Sequence, residues 1–188
     1  CIYKGQMIRG KPGSCMEICH IPMVPEGALC GCGRRGCLET VASRLAISAA
    51  AASAAFRGEA PHLLAEAGTD LSNIRSKMLA GAIEAGDKAI ERIVRDAGRW
   101  LGRGIAAAVN LLAPDVVVLG GGLAEALPGF YIEEIEASAR QSVMPPFKNS
   151  FKLAKAKLGD DAVARGAAFL ACRAAGNGKA DDPDPVTS

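Results

Sequence analysis

Three features of the chain predict an α/β domain. Val116-Val117-Val118-Leu119 is a short unbroken apolar run that meets Gly120-Gly121-Gly122, the pattern of a buried parallel strand feeding a glycine turn and then a helix. Ahead of it, residues 87–113 place Ile90, Val94, Ala97, Leu101, Ile105, Ala108 and Leu112 on one helical stripe, with Pro114 as the stop. Behind it, residues 151–158 alternate apolar and polar side chains as a strand does. Strands and helices therefore alternate, which is the α/β signature.

The remaining elements follow in order. Ile2-Tyr3 and Met7-Ile8 flank Lys4-Gly5-Gln6 and read as a hairpin, and Gly10 to Gly13 reads as a loop. Ile21 to Val24 is expected as an edge strand, because Pro22 cannot donate a ladder hydrogen bond. Residues 38–56 are strong helix formers, and the alanine-rich run 49–55 is read as a helix packed close against its neighbours. His62, after Pro61, is read as a surface residue at a helix start. A further helix is expected within 69–86, capped by Asp70 or Ser72 and stopped by Gly86. Trp100 is read as packing. An amphipathic helix is expected over 129–143, broken by Pro145-Pro146, and another from an Asp160 or Asp161 cap through Ala174, with Cys172 in its core. The polar segment 175–188 is expected to be a disordered tail after a domain spanning 1–174.

Composition narrows the partners. At 188 residues, 49% apolar and 22% charged, the chain is long enough for one well-buried domain of globular type. Lys and Arg number 22 against 20 Asp and Glu, a formal charge of +2, so neither a nucleic-acid groove nor a polybasic membrane patch is predicted. The chain has no apolar run of about eighteen residues and no signal-peptide pattern at its start, from which a cytoplasmic home is expected. Its seven cysteines suit a reducing compartment better than a disulfide scaffold.

Chemistry concentrates in residues 17–43. His20, Cys30, Cys32 and Cys37 are one imidazole and three thiols, a ligand set that a tetrahedral Zn²⁺ prefers and that forms a closed, structural site. Gly31, Gly33 and Gly36 alternate with the cysteines, as expected of a short loop that must fold back to present several sulfurs to one ion. A disulfide or buried-thiol reading fits less well, because Cys30 and Cys32 are two apart in a polar, Gly-rich stretch. Glu39 falls in the first turn of the following helix, where the amino end favours a carboxylate. Gly120–Gly122 could let a nucleotide approach the backbone, although a bare glycine triplet serves equally as a tight turn.

These residues carry a family resemblance. Met16-Glu17-Ile18-Cys19-His20, then Cys30-Gly-Cys-Gly-Arg-Arg-Gly-Cys-Leu-Glu39, then Ala42-Ser43 resemble the second signature of the ROK family, named for repressors, open reading frames and kinases. The resemblance extends to about residue 172 and follows the second half of the family's pattern. It implies an actin-like, hexokinase-like ATPase fold, of which this chain would be the C-terminal domain, with the N-terminal domain outside it. It implies ATP-dependent phosphorylation of a hexose or N-acetylhexosamine, with Glu17, His20 and Glu39 on the sugar, Glu39 directed away from the metal, and Gly120, Gly121 and Gly122 beside ATP and Mg²⁺. It also admits a sugar-responsive repressor, an inactive fragment, and a homodimer as the assembly. Met16 and Cys19 depart from it, since the family usually has glycine at both places. No Asp-x-Gly-x-Thr phosphate loop and no general base for the sugar hydroxyl are recognised in residues 1–188, so this portion alone is not expected to phosphorylate sugar.

Overall fold

The computed structural model describes residues 1–11, 15–70, 72–127 and 129–176. Its elements in chain order are β1 (Ile2–Tyr3), β2 (Gln6–Met7), α1 (Glu39–Ala42), α2 (Arg44–Phe56), α3 (Pro61–Ala67), α4 (Ser76–Glu84), α5 (Lys88–Leu112), β3 (Val116–Leu119), α6 (Gly122–Ala126), α7 (Phe130–Ser142), β4 (Lys152–Lys155) and α8 (Ala162–Gly176), with short 3₁₀ turns at Ile18–His20, Pro145–Phe147 and Gly159–Asp161. Two compact units divide the chain: Ile18–Ala156, and Cys1–Glu17 together with Lys157–Ser188.

The larger unit is built on α5. Of the expected stripe Ile90, Val94, Ala97 and Ile105 are buried and Leu101 and Ala108 half-buried, while Leu112 in the last turn is exposed and Val109 is buried instead; α7 lies along the helix with Ile135 and Ala139 fully covered. The two helices approach closely because position 102 lacks a side chain: a Cβ there would stand 2.5 Å from the Ile135 carbonyl oxygen and 2.6 Å from the Ser138 Cβ. Polar groups pin the same pair, since the Ser138 hydroxyl donates to the Arg99 carbonyl at 2.7 Å and Glu134 accepts from both Arg95 and Arg99. Trp100 is partly covered, with the Arg103 guanidinium 4.4 Å from its ring centroid. The alanine-rich run of α2 packs as expected, with Ala51, Ala54 and Ala55 fully buried.

Several boundaries differ from expectation for identifiable reasons. The helix expected over 38–56 breaks at Ser43, whose backbone is extended (φ −71°, ψ 157°) and whose hydroxyl caps α2 by accepting from the Ala46 amide. The helix within 69–86 begins only at Ser76; the Asp70 carboxylate instead accepts from the Ser72 amide, making a local turn that competes with helix. Ile21 to Val24 is not a strand, because the Met23 and Val24 amides both donate to one acceptor, the Gly36 carbonyl. β3 pairs in parallel with β4, Val117 opposite Leu153, as an α/β unit requires. It is not buried on both faces, however: Leu119 is covered and Val117 packs on the core, while Val116 and Val118 are exposed. Among the described residues these strands form a two-stranded sheet.

One buried polar group ties the start of α3 to the residue that precedes α5. Asp87, the residue before α5, accepts from the backbone amides of His62 and Leu63 and from the His62 imidazole at 2.8 Å, so it satisfies orphan donors at the start of α3. Burial alone would raise its pKa, but the Leu63 and His62 hydrogen bonds and the imidazole outweigh this and hold the carboxyl below its ordinary 3.8.

In the smaller unit, β1 and β2 pair antiparallel with Ile2 opposite Met7, joined by Lys4-Gly5, both with positive φ. The second strand is thus shifted one residue from the expected Met7-Ile8. Met16 has φ +60°, the left-handed region that its usual glycine would occupy freely and that costs an L side chain about 1–2 kcal/mol. Cys19 shows no such angle and lies in the 3₁₀ turn Ile18–His20 of the larger unit. Cys172 on α8 is exposed, contrary to expectation. Among the described residues, every buried apolar side chain lies between Cys30 and Phe151, so α8 has no core of its own unit to enter. Helix α8 runs to Gly176; positions 12 and 13 of the expected loop and 177–188 of the expected tail lie outside the described residues.

Candidate functional site

The loop from Ile21 to Leu38 is folded by its own backbone. Isolated antiparallel bridges join Pro22 with Cys37 and Leu29 with Arg35, and the Leu38 amide donates to the Ile21 carbonyl at 2.9 Å. Gly36 makes this possible: its φ is +71°, and a Cβ there would collide with the Val24 carbonyl oxygen. Gly33 also takes a positive φ, whereas Gly31 does not. The doubling back closes the ends of the loop on one another, which is what carries Cys37 to His20.

The four expected metal ligands meet. His20, Cys30, Cys32 and Cys37 each offer an atom lying within 4.8 Å of all the others. Cys30 Sγ is 3.5 Å from His20 Nδ1, and Cys32 Sγ is 3.7 Å from Cys37 Sγ. A tetrahedron with Zn–S of about 2.3 Å and Zn–N of about 2.0–2.1 Å has edges of roughly 3.5–3.8 Å, so the donor set and its spacing fit that ion. Cys30 and Cys37 are buried, Cys32 is exposed, and all the described cysteines are free thiols.

Electrostatics sort the thiols. The Arg34 backbone amide leads in lowering Cys32, and the Arg34 guanidinium adds to it against partial burial, bringing the thiol down to about 6, so it is largely thiolate at neutral pH. The same guanidinium donates to the His20 carbonyl at 3.0 Å, bracing the histidine from the far side of the loop. A hydrogen bond from the Cys32 backbone pulls Cys30 down, but the Glu39 carboxylate, burial and the neighbouring sulfurs together push it up to about 12. Its proton is placed: the Cys30 thiol donates to Glu39 Oε2 at 3.0 Å.

Glu39 therefore does not stand clear of the ligands. Its carboxylate, at the start of α1, lies 3.0 Å from Cys30 Sγ and 3.8 Å from His20 Nδ1. Glu17 is exposed and belongs to the smaller unit.

A second feature lies at Gly120–Gly122. A cavity of about 210 Å³ is lined by the three glycines together with Ala42, Arg44, Ser76, Leu101 and Tyr131, among others. Gly121 has φ +99°, and a Cβ on Gly122 would stand 2.8 Å from the Ser76 hydroxyl. Typical complete ligand sites begin near about 300 Å³, so this cavity takes part of a ligand rather than all of one. The apolar pattern foretold the glycine turn, but not Arg44 or Ser76, which come from the first turns of α2 and α4. A cation in a helix's first turn was the available signal.

Comparison with known proteins places these features. A model of the ROK family matches residues 1–174. The chain is 30% identical over 177 residues to the DNA-binding transcriptional dual regulator NagC of Escherichia coli, covering 94% of this chain and 42% of that protein. It is 31% identical over 173 residues to a glucokinase of Halalkalibacterium halodurans, covering 90% of this chain and 51% of that one. In structure it is similar to a ROK family glucokinase from Streptomyces griseus in complex with glucose and AMPPNP, with a TM-score of 0.77, 31% identity, and coverage of 88% of this chain and 54% of that chain. The chain spans about half the length of the curated relatives it matches. Its fold is the mixed α/β, actin-like and hexokinase-like fold of ROK sugar kinases, over about half of their extent.

Proposed function

This chain belongs to the ROK family, and on that premise we propose that its gene product transfers a phosphoryl group from ATP to a hexose or N-acetylhexosamine in the cytoplasm, residues 1–188 supplying the metal loop, part of the sugar site and one wall of the nucleotide site. The observation that carries the reading is the meeting of His20, Cys30, Cys32 and Cys37 with Glu39 at their edge. In this reading the four ligands hold Zn²⁺, which supplies a structural cross-link, since four protein ligands leave no position for an activated water.

Metal binding requires Cys30 as thiolate, and Cys30 then no longer donates to Glu39. Glu39 keeps its place in the first turn of α1 and turns its acceptor oxygens to a sugar hydroxyl. Two oxygens suit adjacent hydroxyls, and charge-assisted bonds are roughly twice as strong as neutral ones. His20, fixed through its ring nitrogen and through Arg34 at its carbonyl, holds the loop against the sugar. Glu17 is assigned to the sugar on the family pattern. Gly120–Gly122 admit the nucleotide to the backbone, with Mg²⁺ on its phosphates.

A second reading is favoured by the similarity to NagC: a sugar-responsive repressor that uses the same body to sense the sugar. A coupled ADP-release assay on the gene product containing residues 1–188, with Mg-ATP and either glucose or N-acetylglucosamine, separates them. Turnover with one sugar supports the kinase. Sugar binding without turnover, together with sugar-sensitive DNA binding, supports the repressor, and binding of neither sugar overturns both.

A further inference from the structure

The loop from Ile21 to Leu38 carries two cations, Arg34 and Arg35, and they do different things. The Arg34 guanidinium donates to the His20 carbonyl at 3.0 Å and to the Cys32 sulfur, and the sulfurs of Cys37 and Cys30 lie close enough to attract it. Its backbone is pinned as well, since its carbonyl accepts from the Cys30 amide at 2.8 Å. Arg35 instead reaches the Gly27 carbonyl at 3.4 Å. Arg34 thus joins the turn that bears His20 to the part of the loop that bears Cys32. Three thiolates and one neutral imidazole around Zn²⁺ leave one net negative charge. Cys30 and Cys37 are buried, where an unpaired charge is costly. A guanidinium set just outside the four ligands offsets that charge, and a hydrogen bond to a ligating atom or its backbone holds the ligand in its orientation.

We propose that Arg34 is a positioning residue of this loop: it neutralises the four-ligand cluster and clamps the Cys32 sulfur to the His20 turn, so that the loop retains Zn²⁺ rather than exchanging it. The fork of a guanidinium suits this work because it serves two acceptors at once. A lysine would supply the charge without spanning both partners, and a glutamine would supply a donor without the charge. Arg35, with the same charge one residue along, has no such role. The inference rests on reading His20, Cys30, Cys32 and Cys37 as a zinc site.

Competition for Zn²⁺ between the full gene product and a chromogenic chelator tests it, using wild type, Arg34→Ala, Arg34→Lys, Arg34→Gln and, as the charge-matched control, Arg35→Ala. Arg34→Ala is expected to hold zinc about tenfold or more weakly and to release it faster, the scale on which residues outside the ligands act. Arg34→Lys is expected to recover part of the loss, Arg34→Gln less of it, and Arg35→Ala to bind as wild type does. Co²⁺-loaded Arg34→Ala is expected to keep the wild-type visible spectrum, because all four ligands remain; an altered spectrum would mean a lost ligand and would overturn the positioning role. If Arg34→Ala does not fold, the comparison of Arg34→Lys with Arg34→Gln carries the test, and a glutamine variant that holds zinc as tightly as the lysine variant overturns the proposal. Wild type that binds no zinc removes the zinc reading and the role of Arg34 together. Wild type that binds zinc no more tightly than Arg34→Ala, or Arg35→Ala that weakens it equally, overturns the role of Arg34 alone.

Discussion

The loop that gathers His20, Cys30, Cys32 and Cys37 takes all four candidate ligands from residues 20–37, and its shape is set by hydrogen bonds within that stretch, chiefly those converging on the Gly36 carbonyl. The cavity at Gly120–Gly122 draws its walls from α2, α4, α5 and α7 as well as from the turn itself, so its shape depends on how those helices pack. The first is a local structure that carries its instructions with it. The second exists only if α5 and α7 approach as closely as Gly102 allows. Damage to the loop should therefore abolish one property, metal binding, whereas damage to the helix pair should loosen the cavity and spare the metal.

The largest effect is expected from Gly36→Ala. A methyl group there overlaps the Val24 carbonyl and the backbone must leave φ +71°, so the bridge carrying Cys37 to His20 cannot close. Structural zinc binding is worth about 10–16 kcal/mol, so its loss outweighs any single packing or hydrogen-bond change elsewhere in the chain. Zinc content should fall well below one per chain, while circular dichroism still reports α5 and α7. A variant retaining one zinc would remove the contrast.

Gly102→Val should act in the opposite place. Overpacking of this kind costs about 1–3 kcal/mol or more, and the melting temperature should drop with zinc still bound. Simultaneous loss of zinc would show that the loop is not local after all.

Asp87→Asn should destabilise the fold by about 1–3 kcal/mol near neutral pH by weakening the cap on α3, leaving both sites intact. Because the native Asp87 carboxyl lies below its ordinary 3.8, its contribution is complete above that pH and is lost as pH falls through the lower native value. Urea unfolding of wild type and variant should therefore converge at strongly acid pH. A stability gap that persists there would contradict the assignment.

Glu39→Gln probes the edge of the loop, and its effect should be confined to sugar affinity in the full gene product, a loss of about 1–3 kcal/mol with zinc retained. Unchanged sugar affinity, or a lost metal, would sharpen the boundary between ligand and neighbour differently.

The contrast also explains what could be read from the sequence. The meeting of His20, Cys30, Cys32 and Cys37 was legible because their spacing is itself the structure, whereas the broken glycine pattern marked Met16 and Cys19 alike and only Met16 takes a positive φ. The glycine turn and the α5 stripe followed from periodicity. Arg44 and Ser76 were not legible, since no local pattern says which helix starts will meet a distant turn. The open face of β3, with Val116 and Val118 exposed, was missed because an apolar run reads the same whether one or both faces are covered. The break at Ser43 was missed because helix propensity was strong throughout, and a single capping hydroxyl decided the matter. The proton shared between Cys30 and Glu39 was beyond reach too, because it depends on a side-chain direction rather than a spacing.

The central claim is that His20, Cys30, Cys32 and Cys37 form one closed zinc site. Elemental analysis of unchelated, purified protein tests it most directly, with Cys30→Ser, Cys32→Ser and Cys37→Ser measured alongside. One zinc per chain in wild type, falling well below one in each variant, is the result expected; well under one zinc in wild type, or undiminished zinc in the variants, would contradict it.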